Sequence, residues 1–295
     1  MILVTGAAGH IGNVLVRKLL ARGEKIRALI WRGEDTTSLK DLDVEQVEGD
    51  VLDPVSLDAA MKDVEIAYHL AGIISIMPGK NPLVWRVNVE GTRNVLEAAR
   101  RARIRRLVYT SSIHAIRRAP HGTEMDEALG FDANNHYGEY DRSKATASLE
   151  VQNAAKTDLD TVLVCPTGVI GPYDFRGSEM GEVIRGAAFA KPMFYVEGAY
   201  DFVDVRDVVD GLIAANANGR RGEAYILSGN RISVRDLIGT VREVTGKAFA
   251  SIKVPFSLAE FATRYTVWYY QRTKSKPRLT PYSLEVLQSN SNISH

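Results

Sequence analysis

The chain opens Met1-Ile2-Leu3-Val4-Thr5-Gly6-Ala7-Ala8-Gly9-His10-Ile11-Gly12, and these residues decide the fold. Ile2, Leu3 and Val4 make the short apolar run of a buried strand. Ile11, Val14, Leu15 and Leu19 then recur at helical spacing, and Gly23 stops that helix. Between strand and helix lie three glycines in a Gly-x-x-Gly-x-x-Gly pattern. A sharp strand-to-helix turn, a backbone that closely approaches a pyrophosphate, and tight packing of helix on strand each select against a Cβ. The helix N–H groups and dipole then meet the phosphate charge. A glycine triplet alone is a weak signal; its place between a first strand and a first helix is the context that gives it meaning. Gly6, Gly9 and Gly12, with the intervening Ala8, His10 and Ile11, are the expected dinucleotide contacts.

Outward from this loop the pattern repeats. Apolar runs at 25–31, 44–47, 65–70, 106–110 and 161–165 read as strands, and 54–61, 83–103 and 137–157 as helices. That alternation predicts right-handed crossovers and a parallel sheet covered on both faces. After Pro166 the rhythm breaks at Gly168, Gly171, Pro172, Gly177, Gly181 and Gly186. A helix around 179–190, a helix over 204–216, a strand over 223–227 and helices over 233–245 and 256–271 follow. The polar end, 288–295, is expected to fray. The fold class expected is α/β: a Rossmann doubly wound parallel sheet with a smaller, mainly helical C-terminal substrate domain. Residues 1–168 plus about 199–230 would form the dinucleotide-binding part, and about 169–198 plus 231–295 the substrate-binding part.

With 295 residues the chain can build one large α/β domain or a domain and a smaller partner. A net charge of +1 gives no global electrostatic case for nucleic acid or an anionic membrane, and neither is an expected partner. The single cysteine, Cys165, rules out an internal disulfide framework and a cysteine zinc site. The histidines lack metal-ligand spacing, so no metal is expected. The chain has no apolar run of about 18 residues, and its start does not read as a secretory signal. The expected location is the cytoplasm.

Tyr140-Asp141-Arg142-Ser143-Lys144 sets a phenol and an ammonium on one helix face. A free tyrosine titrates near pH ~10. A neighbouring cation stabilises phenolate, which makes Tyr140 a candidate general acid/base at a substrate oxygen. Tyr270 and Lys274 repeat the spacing, but no strand end precedes them; Tyr140 follows Ser111-Ser112, at the sheet edge where ligands bind. The second strand ends Ala28-Leu29-Ile30-Trp31-Arg32 without the carboxylate that commonly holds ribose hydroxyls. Arg32 would suit a 2′-phosphate, which favours NADP over NAD.

On these pieces the chain resembles the extended short-chain dehydrogenase/reductase family, of the NAD-dependent epimerase/dehydratase type. The matching motifs occur in order: T-G-A-A-G-H-I-G at 5–12, G-D-V-L-D at 49–53, H-L-A-G at 69–72, N-V-E-G-T at 88–92, Y-T-S-S at 109–112, Y-D-R-S-K at 140–144, C-P-T-G-V-I-G-P at 165–172 and D-F-V-D-V-R-D at 201–207. The resemblance implies that Asp50 and Val51 flank the adenine. It places Leu70, Ala71 and Gly72 along the ribose and phosphate path, with Thr110 and Ser111 near the cofactor. Asn88 would support the site, and Pro166, Gly168 and Val169 would back the nicotinamide. Ser112 would hold the substrate oxygen, with Ser111 as the fallback, while Tyr140 acts as acid/base and Lys144 as its partner. I-R-A-L-I-W-R at 26–32 and P-T-G-V-I-G-P at 166–172 look most like the dihydroflavonol-reductase-like branch. The implied function is hydride transfer between a nicotinamide and a carbonyl or alcohol carbon of a small substrate. The alternatives are a nucleoside-diphosphate-sugar epimerase or dehydratase using a transient oxidation, and a non-catalytic NADP-binding sensor. A homodimer built on the 83–103 and Tyr140 helices is also implied.

Several features carry competing readings. His114 stands in a stretch where the family has small residues; it either faces substrate or packs. Arg100, Arg101, Arg103, Arg105 and Arg106 read as cations at a helix C-terminus rather than a nucleic-acid footprint. Arg176, Arg185, Arg231 and Arg264 are candidate cations for a sugar-nucleotide diphosphate. Phe256, Phe261, Tyr265, Trp268, Tyr269 and Tyr270 suggest either a membrane-surface helix or core packing and a lid over substrate, the latter being expected.

Overall fold

The computed structural model describes residues 1–189, 191–247, 249–273, 279–289 and 291–294. From the N-terminus run β1 (Ile2–Thr5), α1 (His10–Ala21), β2 (Ile26–Ile30), β3 (Glu45–Glu48), α2 (Pro54–Ala60), β4 (Ile66–His69), α3 (Pro82–Trp85), a π-helical turn (Arg86–Glu90), α4 (Gly91–Ala102), β5 (Arg106–Thr110), α5 (Glu139–Thr157), β6 (Thr161–Pro166) and β7 (Gly168–Ile170). Then follow α6 (Glu179–Phe189), β8 (Met193–Tyr195), β9 (Ala199–Asp204), α7 (Val205–Asn218), β10 (Ala224–Leu227), β11 (Asn230–Ser233), α8 (Val234–Thr245), β12 (Ser251–Lys253), α9 (Phe256–Thr273) and α10 (Pro281–Gln288).

Seven strands pair in the order β10-β6-β5-β4-β1-β2-β3, all parallel. This is the expected Rossmann-like α/β sheet. Every residue of β1 is buried, so it reads as a continuous apolar run instead of alternating. Alternate residues nevertheless serve different layers. Ile2 and Val4 pack with Leu15, Val16 and Leu19 of α1 and Val208, Val209 and Leu212 of α7. Leu3 packs with Leu57 of α2, Val95 and Leu96 of α4 and Val151 of α5. The strand order reverses between β1 and β4, opening a crevice beyond their C-terminal ends. Gly6 leaves β1 there and Leu70 leaves β4.

The rest of the chain is mainly helical, as expected, and adds short strands that were not. β7, β9 and β11 form a separate small sheet, β9 running parallel to β7 and antiparallel to β11, and β8 pairs in parallel with β12. These strands are short and largely half-exposed, so they lack the apolar run that marks a buried strand. The long helix expected over 83–103 is real but contains the π turn, and Asn81 caps its start by accepting from Val84 N.

Residues 292–294 of the polar C-terminal stretch are tied down, where fraying was expected. Met125 N donates to Asn292 O at 2.8 Å and Ser294 N donates to Met125 O at 2.9 Å. Ile293 is buried in a small cluster with Ile113, Ile116, Met125 and Cys165. One apolar side chain among polar neighbours anchors the segment, which average polarity does not reveal. Among the described residues no helix is long and apolar enough to cross a membrane.

Candidate active site

The glycine loop is shaped as a cradle. Gly6 has φ +68°, and a Cβ there would meet Ala71 N at 2.8 Å. A Cβ on Gly12 would lie 2.1 Å from Gly6 O, and one on Gly9 3.2 Å from the same oxygen. Gly9 caps α1 without a side chain, which leaves the helix N-terminus bare toward the crevice. The His10 side chain turns away: its Nε2 meets Pro172 O at 3.0 Å.

A buried polar chain joins the ends of β1 and β4. Ala71 N donates to Thr5 Oγ1 (3.1 Å), and Thr5 Oγ1 bonds His69 Nδ1 (2.7 Å). His69 Nε2 bonds Thr92 Oγ1 (3.1 Å), which donates to Asn88 O (2.7 Å). Since Thr92 donates onward, His69 carries its proton on Nε2 and accepts from Thr5 at Nδ1. Burial pushes the His69 imidazole down to about 3, so it stays neutral. Sequence reading assigned no role to Thr5, His69 or Thr92; His69 was visible only as one letter of a motif.

Asn88 sits in the π turn. It accepts from Ile73 N (2.8 Å) and donates to Ile73 O (3.0 Å) and Ser143 Oγ (2.9 Å). It therefore clamps the segment after β4 to α5. Gly72 lies between Asn88 Oδ1 and Lys144 Nζ, 3.1 and 3.8 Å from where its Cβ would be. Asp50 Oδ1 accepts from Leu52 N (2.8 Å), and Val51 is buried beside Gly91. Leu70 and Ala71 are half-buried at the crevice. Pro166 ends β6 in the core, and Gly168 is bare because Tyr200 Cδ1 lies 2.7 Å from its missing Cβ; Val169 follows in β7, half-buried.

Tyr140 and Lys144, on the first turns of α5, are both buried at the end of β5. Lys144 Nζ donates to Thr110 O at 2.6 Å and Tyr109 OH at 3.1 Å. Burial pulls the Lys144 ammonium down to about 8. Burial pushes the Tyr140 phenol up to about 12, against a hydrogen bond with Ser112 that favours ionisation. The two serines divide. Ser111 Oγ is held by Ser148 Oγ at 2.6 Å, whereas Ser112 faces Tyr140 and caps the following turn by accepting from His114 N (3.2 Å).

An aromatic and polar wall adjoins Tyr140. The His114 ring stands edge-on to Tyr140, centroids 6.3 Å apart, and stacks on Tyr200. Its Nε2 bonds Tyr200 OH at 2.8 Å. Burial lowers the His114 imidazole, while Asp141 opposes that shift. Tyr282 of α10 donates to Asp141 Oδ1 at 2.6 Å, and Arg118 donates to Asp141 Oδ2 at 3.2 Å. Asp141, Tyr200 and Tyr282 were not foreseen; two come from distant segments, and periodicity carries no signal for such contacts.

Other candidates are not drawn into this site. The Arg32 side chain is exposed, 3.7 Å from Glu48. Glu34 accepts from Trp31 N and pairs with Arg176. Arg100, Arg101, Arg105 and Arg106 pair with Asp158, Asp58, Glu65 and Asp160, an ordinary ion-paired surface. Arg185 pairs with Glu182, Arg231 donates to Ser291 Oγ, and Arg264 lies exposed on α9, so the four diphosphate candidates are dispersed. Tyr270 OH accepts from Leu279 N; its partner by spacing, Lys274, lies outside the described residues. No cluster of metal-ligating side chains occurs among the described residues.

With this geometry in hand, likeness to known proteins is informative. A family model described as the NAD-dependent epimerase/dehydratase family matches residues 2–228. The chain is 39% identical over 255 residues to sterol demethylase protein B of Methylococcus capsulatus, covering 86% of this chain and 77% of that one. It is 34% identical over 259 residues to a Synechocystis protein whose name assigns it provisionally to the dihydroflavonol 4-reductases, covering 86% and 75%. It is 31% identical over 264 residues to the UDP-glucose 4-epimerase of Mycolicibacterium smegmatis, covering 83% and 82%. The crystal structure of gox2253 superposes with a TM-score of 0.85 at 30% identity, covering 100% of this chain and 89% of that one. Reductases, dehydrogenases and epimerases thus surround the chain, and it is an NAD(P)-dependent enzyme. The cradle at Gly6, the parallel sheet behind it and the family match over most of the length agree: the chain belongs to the NAD-dependent epimerase/dehydratase family, within the extended short-chain dehydrogenase/reductases.

Proposed function

We propose that the protein is a reductase or dehydrogenase acting at a carbonyl or alcohol carbon, with Tyr140 as general acid/base, Ser112 holding the substrate oxygen and Lys144 as the positioning cation. The observation that carries this reading is that Tyr140 and Lys144, one turn apart on α5, are both buried at the end of β5, where Ser112 follows the strand. The glycine cradle fits a dinucleotide, because each Cβ it lacks would close the turn or the crevice. Gly6, Ala8, Gly9, Ile11 and Gly12 would take the pyrophosphate, with Asp50 and Val51 toward the adenine and Thr110, Pro166, Gly168 and Val169 toward the nicotinamide. The bound cofactor supplies or removes hydride at the substrate carbon.

The chain's own groups manage the proton. At neutral pH Tyr140 is protonated, so it is poised to give its proton to a carbonyl oxygen during reduction and to recover it in the reverse direction. Ser112 donates to the same oxygen and fixes it within reach of Tyr140. Lys144 keeps positive charge below the phenol, stabilising the phenolate left after transfer. Replacing Tyr140 by Phe should lower turnover at least ~100-fold while NADPH titration followed by fluorescence stays unchanged. Unchanged turnover would remove Tyr140 from the chemistry.

NADP is the preferred cofactor in this reading, because Arg32 extends beyond β2 with only a loose ion pair and Glu34 is engaged by Arg176. Comparing kcat/KM for the two cofactors tests it; Arg32→Asp should cut the NADPH value about tenfold or more and spare NADH. The epimerase reading is supported by the sugar-nucleotide epimerase among the relatives, and opposed by the dispersal of Arg176, Arg185, Arg231 and Arg264. Net NADPH consumption per turnover separates the two. We further propose a cytoplasmic homodimer through α4 and α5, and the division into dinucleotide and substrate parts given above. Light scattering showing a monomer at micromolar concentration would overturn the dimer.

A further inference from the structure

The aromatic stretch near the C-terminus was expected to pack in the core or fold over substrate. Instead, one face of α9 is bare. Leu258, Phe261, Tyr265, Trp268 and Tyr269 are 43–70% exposed. At ~100° per residue these five fall within an arc of about 100°. The opposite side of the helix carries the buried Ala259 and Thr263. The exposed rings lie against one another, Tyr265 to Trp268 at 5.6 Å and Tyr265 to Tyr269 at 6.3 Å, rather than against the body of the protein. A contiguous apolar face of this kind marks an interaction surface.

Charge indicates what covers it. The whole chain is nearly neutral, yet between residues 261 and 284 there is no Asp or Glu, while Arg264, Arg272, Lys274, Lys276 and Arg278 supply five cations. Arg272 falls within the aromatic arc at its C-terminal end, and Arg264 falls beside it. Tyr and Trp are the side chains that settle at the level of lipid headgroups. Adjacent Lys and Arg are attracted by anionic headgroups. A second copy of the chain would bring Arg264 and Arg272 against their own kind. No described helix is suited to crossing a bilayer, so the contact is with its surface.

We infer that the exposed face of α9 docks on anionic phospholipid, with the aromatic side chains entering the headgroup boundary and the flanking arginines on the phosphates. This inference does not rest on the catalytic reading. It is tested with the full chain by co-sedimentation with vesicles of phosphatidylcholine alone and of equal parts phosphatidylcholine and phosphatidylglycerol. Binding to the anionic vesicles should be about tenfold stronger and fall in high salt. The double variant Phe261→Ser/Trp268→Ser should lose it about tenfold with an unchanged circular dichroism spectrum and unchanged NADPH binding. Arg264→Glu/Arg272→Glu should lose the anionic preference. No binding to anionic vesicles, or binding untouched by both variants, overturns the proposal. So does a concentration-dependent dimer that the Phe261/Trp268 variant dissolves, which would assign the face to a second copy.

Discussion

Gly12 shows how completely a single atom can decide a site. A methyl there would stand 2.1 Å from Gly6 O, a backbone atom with nowhere to move. Gly12→Ala should therefore abolish NADPH binding in a fluorescence titration. Two buried bases have their proton affinity depressed by burial, and each makes stability rise with pH in its own window. His69 stays neutral in the fold down to about pH 3, while in the unfolded chain it takes a proton near 6.5. Between those values the unfolded chain binds more protons, so stability falls as pH drops, by up to about 5 kcal/mol. Urea unfolding at pH 7 and pH 4.5 should show this loss, and His69→Gln should lack it. Lys144 acts in the same direction in a more alkaline window. Its ammonium titrates at about 8 in the fold and about 10.5 when unfolded, so the fold bears the full cost of burying the charge below pH 8. Stability contributed by this group rises from pH 8 toward 10.5, by about 3 kcal/mol, and Lys144→Met should flatten that rise. The glycines and the Tyr140/Lys144 pair were legible because their spacing is local. The His69 chain was not, since its meaning depends on three strangers in sequence meeting across β1, β4 and α4.

At the level of elements, legibility followed burial. β1, β2, β4, β5 and β6 are core strands, and their apolar runs announced them. β7, β8, β11 and β12 are short and half-exposed, and nothing periodic marks them. α10 was also missed, although Thr280 and Ser283 form a reciprocal cap at its start and Pro281 stands at its first position. The π turn has a clear use: it carries Asn88 to a point where one amide holds both Ile73 and Ser143. Asn88→Ala leaves the half-buried Ile73 N–H without its side-chain partner. It should cost about 1–3 kcal/mol in urea unfolding and weaken the coupling between the crevice and α5.

Across the whole molecule, distant segments are tied together by long-range contacts that composition could not foretell. Ile293 packs on Ile113, next to the Ser112 turn, although it lies at the far end of the chain. Tyr282 and Arg118 both hold Asp141, the residue that follows Tyr140. That last arrangement has a consequence in time as well as space. A ribosome delivers Tyr140 and Asp141 long before Tyr282, so an emerging chain can lay down its glycine cradle and most of its sheet while Asp141, a carboxylate destined for the interior, still lacks one of its two holders. The first turn of α5 therefore gains its full set of contacts only once α10 has been made, and a fragment that stops before Tyr282 carries the glycine cradle with Asp141 only partly held.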